Sequence, residues 1–377
     1  MTDSTTSAAT VEAPLGRWHT GRLQLGQALK SRDNSFNLLR VVAATLVLLS
    51  HAFTVVTGDA DNEPMRRWLG VTWGAVAVDV FFIASGLLVA YSMQRSDSAV
   101  EFVVSRFLRI CPGLTVSLVV TVAAASLAYW HQVSVSDALH YVARNSVPHG
   151  RLRQSIEGIF STNPAGPGFN ASLWTLPIEV HLYRDILFLW LGSFVFMRHR
   201  RMAFKVFVLL AGAYYAVMHL VIGPHASVEE APYRLAFMFF LGASALICAA
   251  RIRFNLVACV VALIAVLVSS LDRGVFFYAY SLLLWYIVLC LAYLPRGRIL
   301  RFNRVGDFSY GIYIYAWPVQ QLLIGMFPRL GTAAHIALTL PIVLALSVAS
   351  WRFVEDPALQ LKKRFLRRRG APAVVSG

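Results

Sequence analysis

Two residues of the first apolar segment carry polarity that lipid does not accept without a partner. Arg40 and His51 stand eleven positions apart in FNLLRVVAATLVLLSHAF. Eleven steps of 100° make three helical turns plus about 20°, so both side chains leave one face, about 16 Å apart along the axis. Ionisable side chains inside a span are costly and mark functional sites by default. A guanidinium stays charged and suits phosphate recognition, whereas an imidazole accepts and returns a proton near neutral pH. The intervening VVAATLVLLS holds nothing else that titrates. A lone histidine in a span is more often a hydrogen-bonded structural group. Its alignment with an arginine weighs toward function.

Two acids lie in other apolar segments, Asp79 in VAVDVFFIASGLL and Glu179 in SLWTLPIEVHLY. Counted from the outer ends of their helices, both lie roughly 10–12 Å below the surface, and His51 lies near that depth. The three groups are therefore expected to converge on one polar cavity. There a carboxylate would fix the imidazole tautomer and raise its basicity, as a general base requires. The alternative is that either acid pairs with an intramembrane cation for packing. Arg184 is the obvious rival partner, although Asp185 beside it can satisfy it instead. Arg106 and Arg109, in SRFLRICPGL, share a helix face at i and i+3. Charge anchoring at the cytoplasmic face explains either arginine alone; with Arg40 they can form an anion pocket, and Pro112 is expected to shape the helix entry. The chain has no Walker motif, Rossmann fingerprint, GxSxG elbow or HExxH, and no metal-ligand cluster is readable. Ser85 and Gly86 follow Asp79, but no Ser-His pairing is readable from spacing.

The elements that must position these residues are membrane helices. The 377 residues are 57% hydrophobic and 14% charged, against roughly 45–50% and about 25% in soluble domains. So few charges cannot solvate a surface of this size. The fold expected is an all-α polytopic transmembrane bundle of about ten spans: 36–57, 71–93, 112–130, 172–196, 204–222, 232–250, 254–271, 275–294, 306–326 and 332–352. A net charge of +15 can signal nucleic acid. Here, however, the basic residues sit between apolar runs, on alternate connections, which is the positive-inside pattern. Both termini are then cytoplasmic. Residues 1–33 read as a polar cytoplasmic tail without the apolar core of a cleavable signal, 34–357 as the membrane domain, and 358–377 as a basic tail lying against anionic lipid. The connection 131–171 is the longest on the outer side and reads equally as an acceptor-holding loop or a passive one. Cys111, Cys248, Cys259 and Cys290 fall in or beside apolar runs, as small hydrophobes do.

Six segments, in order, resemble the acyltransferase-3 family of integral membrane O-acyltransferases over roughly residues 33–360. They are the Arg-x10-His pair Arg40 and His51, VDVFFIASGLL around Asp79, RFLRICP with Arg106 and Arg109, NASLWTLPIEVHLY with Glu179, FSYGIYIYAWPVQQLL, and FVEDPALQL. Many relatives carry a histidine where this chain has Ala316, which argues against an essential histidine there. YIYAWPVQQ looks more like the branch acting on exopolysaccharide, O-antigen or nodulation oligosaccharide. The resemblance implies a multi-pass enzyme of the bacterial inner membrane. It would transfer acetyl from acetyl-CoA to a hydroxyl of a cell-surface or lipid-linked carbohydrate, without a metal. Arg40, Arg106 and Arg109 would hold the acyl-CoA, and His51 would act as general base oriented by Asp79 or Glu179. A transporter or flippase for a lipid-linked sugar, and an acyltransferase acting on a macrolide-like molecule, are the competing expectations.

Overall fold

The computed structural model describes residues 17–18, 23–31, 33–96, 98–222 and 232–361. Most of the tail expected over 1–33, and the basic residues from Lys362 to Gly377, lie outside the described residues. After a short helix α1 (Leu25–Ala28), the chain forms α2 (Phe36–Thr57), α3 (Pro64–Leu69), α4 (Trp73–Arg95), α5 (Ala99–Ala128) and α6 (Val135–Asn145). Then follow α7 (Thr175–Gly192), α8 (Arg200–Val217), α9 (Pro232–Ile247), α10 (Leu256–Ser269), α11 (Arg273–Tyr293), α12 (Ser309–Met326) and α13 (Thr332–Ser350).

Each expected apolar segment coincides with a helix. Among the described residues, six helical stretches are long and apolar enough to cross a membrane; one of them, Ala171–Val221, contains both α7 and α8. The others hold α2, α4, α5, α11 and α13. The shorter α9 and α10 are apolar. Helix α12 falls outside this group for a physical reason. Its residues from Ser309 to Gln321 are buried throughout, so protein rather than lipid surrounds them and tyrosines and glutamines are tolerated.

Local chemistry sets the helix limits. Thr72 Oγ1 accepts from the Ala75 N–H at 2.9 Å and caps α4. Gly58 ends α2 in the left-handed region, at φ 78°. Helix α5 departs from expectation. It begins at Ala99 and runs through Pro112 without a break, so Pro112 lies within the helix and does not mark its entry. Tyr310 Oη donates to the Ile110 carbonyl at 2.9 Å, supplying a partner beside the disturbed turn.

Helices α4 and α9 meet through glycine. A Cβ on Gly86 would stand 1.8 Å from the Phe239 carbonyl oxygen, and one on Gly242 would stand 2.1 Å from that of Ile83. Backbone contact this close needs small residues, as in many membrane helix pairs. Two short antiparallel strand pairs tie the chain together: β1 (Arg17–Trp18) with β4 (Pro295–Arg296), and β2 (Leu23–Gln24) with β3 (Arg253–Phe254). They join three of the connections that are rich in basic residues.

The long connection after α5 is no bare loop. It carries α6, and Tyr141, Phe160 and Phe169 form a fully buried aromatic cluster. Asp137 accepts from the Glu157 N–H at 3.0 Å and pairs with Arg153. This packing depends on residues far apart within the connection, which a local reading does not join.

Candidate active site

A cavity of about 230 Å³ opens among α2, α4, α5, α7 and α12. Arg40, Arg106 and Arg109 line it together with Glu179, Tyr183, Thr175 and Tyr313, and the remaining lining is largely apolar. The structure therefore brings together the three expected cations and one of the two expected acids.

The arginines are not equivalent. Arg40 Nη1 and Arg109 Nη2 both reach Asp307 Oδ2, at 2.6 and 2.5 Å. Ser309 Oγ donates to the other oxygen of that carboxylate. Arg109 also lies 3.9 Å from Glu355, whose other oxygen accepts from Ser350 Oγ at 2.9 Å. Asp307 thus clamps α2 to α5 just before α12 begins. Among the described residues, Arg106 has no such acid. Its guanidinium sits 5.5 Å from the ring centres of Phe102 and Tyr183, and its buried Nε has no hydrogen-bond partner. Its charge is the one most available to an incoming anion. Glu179 accepts from Tyr183 Oη. That spends the phenol proton, so Ser85 Oγ, 3.1 Å away, must donate to Tyr183.

His51 does not line the cavity and lies beyond its Thr175 and Tyr313. There Tyr313 Oη donates to the Ser172 carbonyl at 2.5 Å, and Thr175 Oγ1 stands 2.6 Å from the same phenol. Ser172 Oγ lies 3.4 Å from His51 Nδ1. The imidazole stands edge-on to Trp317, with ring centres 4.9 Å apart. Trp317 Nε1 donates to the Gly168 carbonyl and Asn170 Nδ2 to the Ile314 carbonyl, each at 2.9 Å. Helix α12 therefore pins the 168–175 segment against His51. Ser172 links the Thr175–Tyr313 pair that lines the cavity to the imidazole.

The expected convergence of His51 with both acids is not what the structure has. Asp79 is fully buried. It accepts from Tyr280 Oη of α11 at 2.7 Å and lies 3.5 Å from Arg234 of α9. Equal depth placed Asp79 near His51, but depth does not give azimuth, and the glycine contact of α4 with α9 turns Asp79 toward Arg234. Glu179 faces the cavity and is not bonded to His51. Arg184 pairs with its neighbour Asp185 at 3.4 Å and with neither site acid.

Sequence reasoning missed Asp307, Glu355, Arg234, Ser172 and Tyr313. Asp307 borders FSYGIYIYAWPVQQLL, Glu355 is the first of the two acids of FVEDP, and Ser172 stands in NASLWTLPIE. Those segments are legible as wholes. Only tertiary contact assigns their single residues.

No solved structure matches this chain. It is 27% identical to an O-acetyl transferase of Shigella phage Sf6, covering 89% of this chain and 97% of that protein. It is 29% identical to nodulation protein 10 of Rhizobium leguminosarum bv. viciae, covering 89% of this chain and 96% of that one. Residues 33–352, which contain every residue of the cavity described above except Leu359, match the model of an acyltransferase domain. With its helices long and apolar enough to cross a bilayer and its arginine-lined cavity among them, this chain is a membrane acyltransferase belonging to the acyltransferase-3 family.

Proposed function

We propose that the enzyme transfers an acetyl group from acetyl-CoA to a hydroxyl of a cell-surface or lipid-linked carbohydrate in the bacterial inner membrane. In this reading ten helices span the bilayer and both termini lie in the cytoplasm, in keeping with the alternation of basic connections. The observation that carries the proposal is the cavity itself. It has three arginines toward one end and the Thr175–Tyr313 hydroxyl pair at the other, one residue away from an imidazole.

Arg106 and Arg109, with Arg40, receive the phosphates of the donor. The thioester arm runs along the apolar lining toward Thr175 and Tyr313. His51 accepts the proton of the acceptor hydroxyl, whose oxygen attacks the thioester carbonyl carbon. The carbon–sulfur bond breaks, and the leaving thiolate takes up the proton from the imidazolium. Ser172 Oγ, accepting from Nδ1–H, leaves Nε2 as the basic nitrogen and so performs the tautomer-fixing role expected of an acid. Glu179 acts within the donor cavity. Asp79 holds α4, α9 and α11 together through Arg234 and Tyr280. Membership of an acyltransferase family sets aside a pure transporter.

Acetyl-CoA binding and transfer to a carbohydrate acceptor in membranes test the proposal. Replacing His51 by Gln should lower transfer by about 10²–10⁴-fold, the usual span of a general base, while acetyl-CoA still binds. Full transfer by that variant would remove the base assignment. Loss of binding would instead make His51 part of the donor site.

A further inference from the structure

Helix α7 carries polar side chains on two faces, and the donor cavity uses one. Thr175, Glu179 and Tyr183, spaced by four, face the cavity. His181, Arg184, Phe188 and Leu191 are exposed on the outward side. Their spacing of three, four and three is that of a heptad seam, the pattern by which one helix packs along another.

Arg184 interrupts this seam with a charge at its middle, and Asp185 stands beside it at the edge of the seam. Arg184 and Asp185 lie about 14 Å from the first residue of α7, at roughly 1.5 Å per residue, halfway along an 18-residue helix. Their side chains are 53% and 29% exposed. The pair is made of sequence neighbours, at 3.4 Å. Among the described residues neither forms an ion pair with another helix. Charged groups at mid-bilayer almost always face a bundle interior or a water-filled cavity and find partners there. Beside them, α7, α8 and α9 enclose an open groove of about 440 Å³ lined by Asp185 and by aromatic side chains that include Phe188, Tyr214 and Phe240.

We propose that this face of α7 is the interface of a homodimer, in which two copies pack α7 against α7 about a two-fold axis along the membrane normal. Both copies have the same orientation in the bilayer, so the two helices run parallel. A two-fold contact is self-complementary, bringing residue i to j and j to i. Arg184 of each copy then reaches the partner's Asp185, and four exposed charges become two crossed pairs. The aromatic groove gives the second helix an apolar bed. Lipid is the weaker occupant, because acyl tails offer no counter-charge and headgroups lie about 15 Å from the bilayer centre. Nothing in this proposal depends on the identity of the acyl donor.

The test uses the full-length protein in lipid nanodiscs, with subunits counted by native mass spectrometry and by co-purification of two differently tagged copies. The wild type should be a dimer. Arg184→Asp alone and Asp185→Arg alone each place like charges together and should be monomeric. Expressed together on separately tagged chains, the two variants should pair with each other as well as wild-type copies do. Such pairing in trans also demonstrates that each variant folds. The neutral combination Arg184→Gln with Asp185→Asn removes attraction without adding repulsion and should weaken the dimer by about tenfold or more. A monomeric wild type, a single variant that still dimerises, a neutral combination as tight as wild type, or failure of the two variants to pair in trans would each overturn the proposal.

Discussion

Replacing Asp307 by Asn tests whether the arginines of the cavity work as positioned groups. One oxygen of Asp307 holds Arg40 at 2.6 Å and Arg109 at 2.5 Å, and the carboxylate is largely buried. A hydrogen bond to a charged group contributes about 1.5–3 kcal/mol, so losing two costs about 3–6 kcal/mol. Breaking a buried ion pair gives a similar figure, about 3–5 kcal/mol. Asparagine keeps one acceptor oxygen, and Arg109 keeps Glu355 within 3.9 Å. The lower bound, about 3 kcal/mol or two powers of ten in an equilibrium constant, is therefore expected. The loss should be divided between stability and donor affinity, because the two guanidinium groups repel once the carboxylate is gone. Thermal unfolding in detergent and acetyl-CoA titration calorimetry read the two parts. The midpoint should fall by several degrees and acetyl-CoA should bind more weakly. An Asp307→Asn enzyme that melts with wild type and binds acetyl-CoA as tightly, or more tightly, would refute the reasoning. Asp307 would then merely neutralise charge that the donor could otherwise use.

Other outcomes follow from single contacts. Gly242→Ala places a methyl 2.1 Å from the Ile83 carbonyl, where only backbone can yield. It should cost about 1–3 kcal/mol or more, read as a lower unfolding midpoint and a lower yield of folded protein in membranes; a normal midpoint would mean that α4 and α9 can separate freely. Ser172→Ala removes the 3.4 Å contact to His51 and should lower transfer about fivefold, as for one hydrogen bond of about 1 kcal/mol, with a shifted kcat–pH profile and unchanged acetyl-CoA binding. A profile identical to wild type would show that Ser172 does not orient the imidazole. In the connection between α5 and α7, the Glu157 N–H above all, with help from Arg153, holds the Asp137 carboxyl below its ordinary value, against the opposing effect of burial. A lowered acid stabilises above its unfolded pKa, near 3.9, and that stabilisation disappears as pH falls through the folded value. Hydrogen-exchange protection of the Glu157 amide should therefore weaken below about pH 4 and should lose that dependence in Asp137→Asn. Unchanged protection across this range would place the stability of the segment in the Tyr141–Phe160–Phe169 cluster alone.

The helices were legible because a bilayer imposes a one-dimensional constraint. About twenty apolar residues are needed to cross it, and charge accumulates between such runs. That logic finds every long helix here without knowledge of its neighbours. It also reads depth, which is why Arg40 and His51 separate so clearly along α2. It fails where a proline is absorbed, as Pro112 is within α5.

The residues of the sequence by themselves determined the all-α membrane character and the family, together with the chemical types available to the site: three arginines, one imidazole and two acids. Only the tertiary structure decided which of these meet. Rotation about each helix axis is set by side-chain packing against neighbours distant in sequence. The Gly86 and Gly242 contact turns Asp79 to Arg234, Asp307 gathers Arg40 and Arg109, and α12 presses Ser172 toward His51. Hydropathy and spacing carry depth along the membrane normal, whereas azimuth exists only once the helices have packed.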